Sequence, residues 1–243
     1  MIRYLRTALY ALLAGAAVCG VAWVLVASPW LRYTELQIEG NRRAGVAELR
    51  HLANLPQADP MVLLDLSAAV AGVERHPWVE SASARRQFPN AIVLTVRERV
   101  PVALLHLQGH DSVAGFFLVR AAGTVFARAA QPADYDHPIL TGLDPELVAA
   151  QPEVARRLVR EGLAWLSAAQ EQGGLPESSL SELHFDARTG YTLNLRNGGD
   201  VLLGFADRTR VARLPALVAS GLDLSTPHRI DLASDRLAVV TPL

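Results

Sequence analysis

The chain has 243 residues, of which 51% are hydrophobic and 19% charged, with a net charge of −1. That length allows two modest folded units plus an anchor, and the near-neutral balance leaves no basic stripe interleaved with aromatics, which argues against nucleic acid as a partner. All 23 cationic side chains are arginine, a codon bias more than a device, and the single cysteine, Cys19, excludes an intramolecular disulfide, so the folded part must rest on its apolar core.

From Ala8 to Ala27 the sequence is uncharged and rich in Leu, Val and Ala. At 1.5 Å per residue such a helix spans the roughly 30 Å hydrocarbon layer, so residues 8–27 are expected to contact the lipid bilayer as a transmembrane helix. Tyr4 and Tyr10 near one end, and Trp23, Trp30 and Tyr33 toward the other, suit interfacial belts. Arg3, Arg6 and the free amine precede the span and Arg32, Arg42 and Arg43 follow it, a close count; the first group crowds the span while Arg42 and Arg43 lie beyond a strand, which favours a cytoplasmic tail at residues 1–7 and an exported bulk. A cleaved signal peptide is the rival reading; Leu25, Val26 and Ala27 make a poor cleavage site before Ser28.

Beyond the span, Leu36 and Ile38 alternate with Glu35, Gln37 and Glu39, a half-buried strand ending at Gly40-Asn41. Val46, Leu49, Leu52 and Ala53 then share a helical face closed by Pro56, and a second helix is predicted from Ser67 as cap, with Val70 and Val73 inward, up to Pro77. Two strands follow, Trp78 to Arg86 and Ala91 to Arg99, joined by Phe88-Pro89-Asn90. In the second, Ile92, Leu94 and Val96 face the core. The order β-α-α-β-β predicts a three-stranded sheet with two helices on one face over 33–101.

A second domain, 102–243, is predicted to be mostly antiparallel β with helices on it, so the fold class is α+β. Its expected strands are Phe116 to Arg120, Val125-Phe126 and Pro138 to Gly142. A long helix from about Pro152 to Gln170 carries Ala155, Leu158, Val159, Gly162, Leu163 and Leu166 on one stripe, stopped by Gly173-Gly174. Tyr191 to Arg196 and Val201 to Phe205 flank Asn197-Gly198-Gly199-Asp200, a hairpin signal because glycine supplies positive φ. Asp207 is expected to cap a helix with Val211, Leu214, Leu217 and Val218, before short strands at Arg229 to Leu232 and Leu237 to Thr241.

No phosphate loop, nucleophile elbow or zinc-protease motif is present, so no catalytic, cofactor or metal site is assigned. His106 and His110 are spaced i, i+4, but Gly109 interrupts them. His76 reads as a satisfied partner at a helix end, and of Arg85 and Arg86, which point to opposite faces, at least one is ordinary surface or an internal ion pair. Leu237-Ala238-Val239-Val240 either pairs on both sides within the domain or lies at a sheet edge, where unpaired N–H and C=O groups invite a partner strand.

The run His76-Pro77-Trp78-Val79-Glu80 through Gln87-Phe88-Pro89-Asn90 and on to Arg97-Glu98-Arg99-Val100-Pro101 resembles the POTRA domain of the bacterial division family FtsQ/DivIB. Ile38-Glu39-Gly40-Asn41, Gly123-Thr124-Val125-Phe126, Pro138 to Gly142, Val201-Leu202-Leu203-Gly204 and Ile230-Asp231-Leu232 resemble its other segments in order. The resemblance implies a non-enzymatic, single-pass inner-membrane protein at the division septum, N-terminus cytoplasmic and both domains periplasmic. It also implies capture of FtsB/FtsL-like proteins by strand addition, together with FtsK-like, FtsW-like and FtsI-like proteins as further partners. Carried over by position, the contact surface is Asp231, Leu232, Ala233, Ser234, Leu237, Ala238, Val239 and Val240, plus Arg210, Arg213 and Leu217 on the preceding helix. Ala233 and Ser234 depart from the family's usual Arg-Tyr, which puts a side-chain clamp in doubt while main-chain pairing survives. Val239→Pro is expected to remove a ladder donor and abolish capture. A POTRA-bearing export or outer-membrane assembly component is the alternative; it would need repeated POTRA units or a barrel.

Overall fold

A computed structural model describes residues 2–27, 29–109, 114–205, 207–234 and 237–243. The chain divides into two compact units, Met1–Arg99 and Val100–Leu243. The uncharged N-terminal stretch lies within a 26-residue helix, α1 (Ile2–Ala27), so the predicted tail is helical from its second residue. Among the described residues no helix is long and apolar enough to cross a membrane. Ser28, where a cleaved chain would begin, lies outside the described residues.

The rest of the first unit has the expected order: β1 (Glu35–Glu39), α2 (Val46–Ala53), α3 (Leu66–Val73), β2 (Val79–Gln87) and β3 (Ala91–Glu98). The strands order β1-β3-β2, with β1 parallel and β2 antiparallel to the central β3. Ile92, Leu94 and Val96 of β3 pack with Leu36, Leu49, Ala53, Ala69 and Val73 in one core. Val93 on the opposite face is also buried, between Gln37 and Arg85 in register. The cap of α3 is not Ser67 but Asp65, whose carboxylate accepts from Ser67 and Ala68 N–H. Aspartate two positions earlier reaches two of the orphan donors of the first turn, and Ser67 lies inside the helix. A short 3₁₀ turn at Met61–Leu63, which has no hydrophobic period of its own, was not expected.

This unit also explains three singled-out side chains. His76 is a satisfied side chain at a helix end, as expected, and it is buried: Trp78 N–H donates to its Nδ1 at 3.2 Å, so Nε2 carries the proton and donates to Glu48 at 3.0 Å. Arg86 donates to the carbonyls of Met61 and Leu64 at 2.9 and 2.6 Å, pinning the 3₁₀ turn, while Arg85 reaches only Gln87. Arg86, exposed on the strand, thus serves main-chain acceptors instead of an internal ion pair. Glu98 folds its carboxylate into the backbone N–H groups of Arg42, Arg43 and Ala44. Burial raises its pKa, but those three donors and the nearby His76 outweigh it and hold Glu98 below the usual range.

The second unit is one nine-stranded sheet: β4 (Ala103–Leu107), β5 (Gly115–Val119), β6 (Val125–Arg128), β7 (Ile139–Thr141), β8 (Leu180–Asp186), β9 (Gly190–Leu195), β10 (Asp200–Gly204), β11 (His228–Asp231) and β12 (Val239–Pro242). Their order is β12-β11-β10-β9-β8-β7-β4-β5-β6. The pairs β10–β11, β7–β8 and β4–β7 are parallel and the others antiparallel. Among the described residues this unit has the α-helices α4 (Pro145–Ala150), α5 (Pro152–Glu171) and α6 (Leu214–Ala219). The stripe of α5 buries Ala155, Val159, Gly162 and Leu166 as expected, and adds Trp165 and Ala169. At Gly162 a Cβ would stand 3.2 Å from Leu140 Cδ2, so glycine lets the helix settle onto β7 and β8. Asp207 caps, as expected, but it starts a 3₁₀ segment, Arg208–Arg213, that becomes α-helical only at Leu214. His106 stacks on Phe116 of the neighbouring strand at 4.1 Å between ring centroids, and His110 lies outside the described residues.

Candidate partner-binding edge

The last strand, β12, closes one end of the nine-stranded sheet and is paired only with β11. Ile230 of β11 is fully buried in the core and Leu232 beside it likewise, so β11 is fixed from below by hydrophobic contact. All four residues of β12 are exposed. Only Ala238, just before it, packs on the core, whereas Leu237 and Val239 are 67% and 56% exposed. Apolar side chains and a free backbone edge therefore face solvent together, the arrangement that strand addition uses and that soluble sheets otherwise avoid.

The register decides which backbone groups are available. Leu243 N–H donates to Pro227 carbonyl at 3.2 Å, and the pairing continues as His228↔Pro242, Arg229↔Thr241, Ile230↔Val240 and Asp231↔Val239. Antiparallel pairs alternate between bonded and non-bonded, so Thr241 and Val239 point their polar groups inward to β11. Val240 points both its N–H and its C=O outward, and Pro242 offers a carbonyl but no N–H. The expectation attached to Val239 is thereby corrected: proline there would break the internal ladder, and the donor presented to a partner belongs to Val240.

The two predicted arginines do not reach past the edge. Arg210 donates to the carbonyl of Ala233, and Arg213 to that of Ser234 at 2.8 Å, so both brace the loop between β11 and β12. Asp231 accepts from Ala233 N–H at 2.8 Å, tightening the same loop. Leu217 of α6 is half-buried against the core. Of the predicted contact residues, Leu237, Val239 and Val240 are the exposed apolar ones, whereas Asp231, Leu232, Arg210 and Arg213 are committed to holding the edge in place. Cross-strand pairing of Arg229 with Asp200 at 2.9 Å, between β11 and β10, adds to that support and had no signal in the sequence.

Among the described residues no group of three metal-ligating side chains occurs. The nearest approach to a reactive cluster is Thr141, Glu182 and His184 on β7 and β8, where Thr141 bonds both partners.

Comparison with known proteins agrees with this architecture. Residues 31–99 match the family model for the POTRA domain, FtsQ-type, and residues 110–233 that for the cell division protein FtsQ/DivIB, C-terminal. The second match stops before β12. A cell division protein FtsQ from Anaeromyxobacter sp. (strain K) is 36% identical over 94% of this chain and 79% of its own. Those from Syntrophotalea carbinolica and Geobacter sp. (strain M21) are 29% and 27% identical over 76% and 70% of this chain. The chain spans 63% and 60% of those two relatives, less than two thirds of their length. With one relative 36% identical over 94% of this chain and both folded units covered by family models, the chain belongs to the FtsQ/DivIB family of cell division proteins.

Proposed function

We propose that the chain is a non-catalytic, single-pass scaffold of the bacterial division machinery, held in the inner membrane by residues 8–27 with both folded units in the periplasm. In this reading it captures FtsB/FtsL-like proteins by accepting a strand along β12 and so gathers later division proteins at the septum. The observation that carries the reading is the outward-facing backbone of Val240 on an exposed, uncharged edge strand. The uncharged stretch within α1 and its aromatic flanks support the anchor.

Val240→Pro removes the outward donor while leaving the bonds of Thr241 and Val239 to β11 intact. The expected result is loss of co-purification of the FtsB-like partner from membranes, with the POTRA unit still folded. Undiminished capture by this variant would sink the strand-addition reading. The membrane reading is checked separately by carbonate extraction, where release of the chain into the soluble fraction counts against it.

A further inference from the structure

Four aromatic rings meet in a cavity of about 370 Å³ between α5, the ends of β8 and β9, and the turn after β10. Trp165 and Tyr191 are buried beneath it, Phe185 is half-buried, and Phe205 stands 62% exposed at its mouth. The centroids of Trp165 and Tyr191 are 5.9 Å apart, those of Phe185 and Tyr191 5.1 Å, and Phe205 meets Phe185 edge-on at 6.5 Å. Glu161, Asp207 and Arg208 complete the lining, two carboxylates against one guanidinium.

The position of Phe205 is built, not incidental. It follows Gly204, whose φ of +70° no side chain adopts easily and whose Cβ would stand 3.2 Å from Ala233 Cβ. Tyr191 reaches Glu161 and the Leu158 carbonyl only at 3.4 Å, the outer limit of hydrogen bonding. Burial, then Glu161, push the Tyr191 hydroxyl above its ordinary range, so it stays a neutral donor beside the carboxylate. Aromatic faces over a net negative rim suit a cation on an apolar stem.

We propose that this cavity takes an arginine or lysine side chain from the flank of the partner segment that pairs with β12. The inference rests on the strand-addition reading and deepens it. Because β10 and β11 are parallel, Phe205 and Ala233 leave their strands at the same end of the sheet, the end from which the chain enters β12. A strand laid on β12 stands three strand spacings from β10, roughly 15 Å, which about five extended residues cross. The edge itself offers few bonds, since Pro242 has no donor. A side-chain anchor beyond the strand adds what so short a ladder lacks.

The test uses the full chain in nanodiscs and the extracytoplasmic segment of the FtsB-like partner from the same organism. Phe205→Ala and Glu161→Gln should each weaken binding roughly three- to thirtyfold, the range of a cation held against aromatic rings. Replacing the segment's basic residues one at a time by norleucine should find one whose loss matches Phe205→Ala and adds nothing in that background. Glu161→Gln removes only charge, so it decides the matter even where Phe205→Ala disturbs packing. Wild-type affinity in both cavity variants, with binding lost in Val240→Pro, overturns the cavity and leaves the edge standing. Loss in the cavity variants with no sensitive basic residue in the segment overturns the cationic occupant. No binding by the unaltered chain overturns both readings.

Discussion

The two ends of the nine-stranded sheet meet water in different ways. At one end, β6 carries Arg128, whose guanidinium lies 5.7 Å over the Phe117 ring and donates to Ala114 carbonyl, and the pairing with β5 shifts register between Leu118 and Val119. A charge on the edge and an irregular ladder are two of the devices by which sheets refuse further strands. At the other end, β12 has regular pairing, no charge, and a single obstruction in Pro242. The same sheet is fenced at one end and left open at the end where a partner is proposed. An unguarded edge that merely lacked protection would be an aggregation hazard; one braced from behind by Arg210, Arg213 and Asp231 is held ready.

The largest expected effect therefore comes from applying one substitution to both ends. Ala129 N–H donates to Phe116 carbonyl, so by the same alternation Arg128 of β6 directs its N–H outward, as Val240 does at β12. Val240→Pro should abolish partner capture, while Arg128→Pro should leave it within twofold by the same pull-down. Equal losses at both ends would show that capture follows general damage to the sheet and not the open edge.

A smaller effect is expected from the brace. Arg210→Met together with Arg213→Met keeps most of the apolar stems but removes the donors to Ala233 and Ser234. Both sites are solvent-exposed or half-exposed, so each bond is worth about 1 kcal/mol, and the pair should weaken binding roughly tenfold or more through a looser edge. Thermal unfolding of the second unit should shift only slightly, because Ile230 and Leu232 hold β11 through the core. A large fall in unfolding temperature with unchanged affinity would reverse that division of roles.

Much of this contrast was legible in the sequence. The alternation of Leu36 and Ile38 and of Ile92, Leu94 and Val96, and the Asn197-Gly198-Gly199 turn, marked their strands because the local pattern and the tertiary face agree. β8 escaped notice because its register shifts between Leu180 and Glu182, which breaks the period of two. β4 is a nearly continuous apolar run, so alternation could not mark it, and α4 was missed although Asp144 before Pro145 is a cap signature. The edge at Val240 could be suspected from its apolar ending, but which of Val239 and Val240 faces outward depends on pairing with β11, a long-range fact. The aromatic cavity was out of reach for the same reason: Leu158, Phe185, Tyr191 and Phe205 converge only through the pairing of β8 with β9 and the crossing of α5.

The smallest effect concerns Pro242, the only fence on the open end. Its partner in register is His228, and in that non-bonded position any other residue would direct an N–H away from β11. Proline removes that donor, so the free edge presents the N–H of Val240 and then a gap. Pro242→Thr restores the donor and keeps a residue suited to strands. One further main-chain bond contributes about 0.5–1.5 kcal/mol, so the partner should bind roughly three- to tenfold tighter. The same bond is available to a second copy of the chain, and sedimentation of the detergent-solubilised variant should show concentration-dependent self-association beyond that of the unaltered protein. Tighter partner binding without self-association would mean that side chains, not the missing donor, keep two copies apart. No change in either would mean that the added strand ends before Pro242, which places its last bond at Val240.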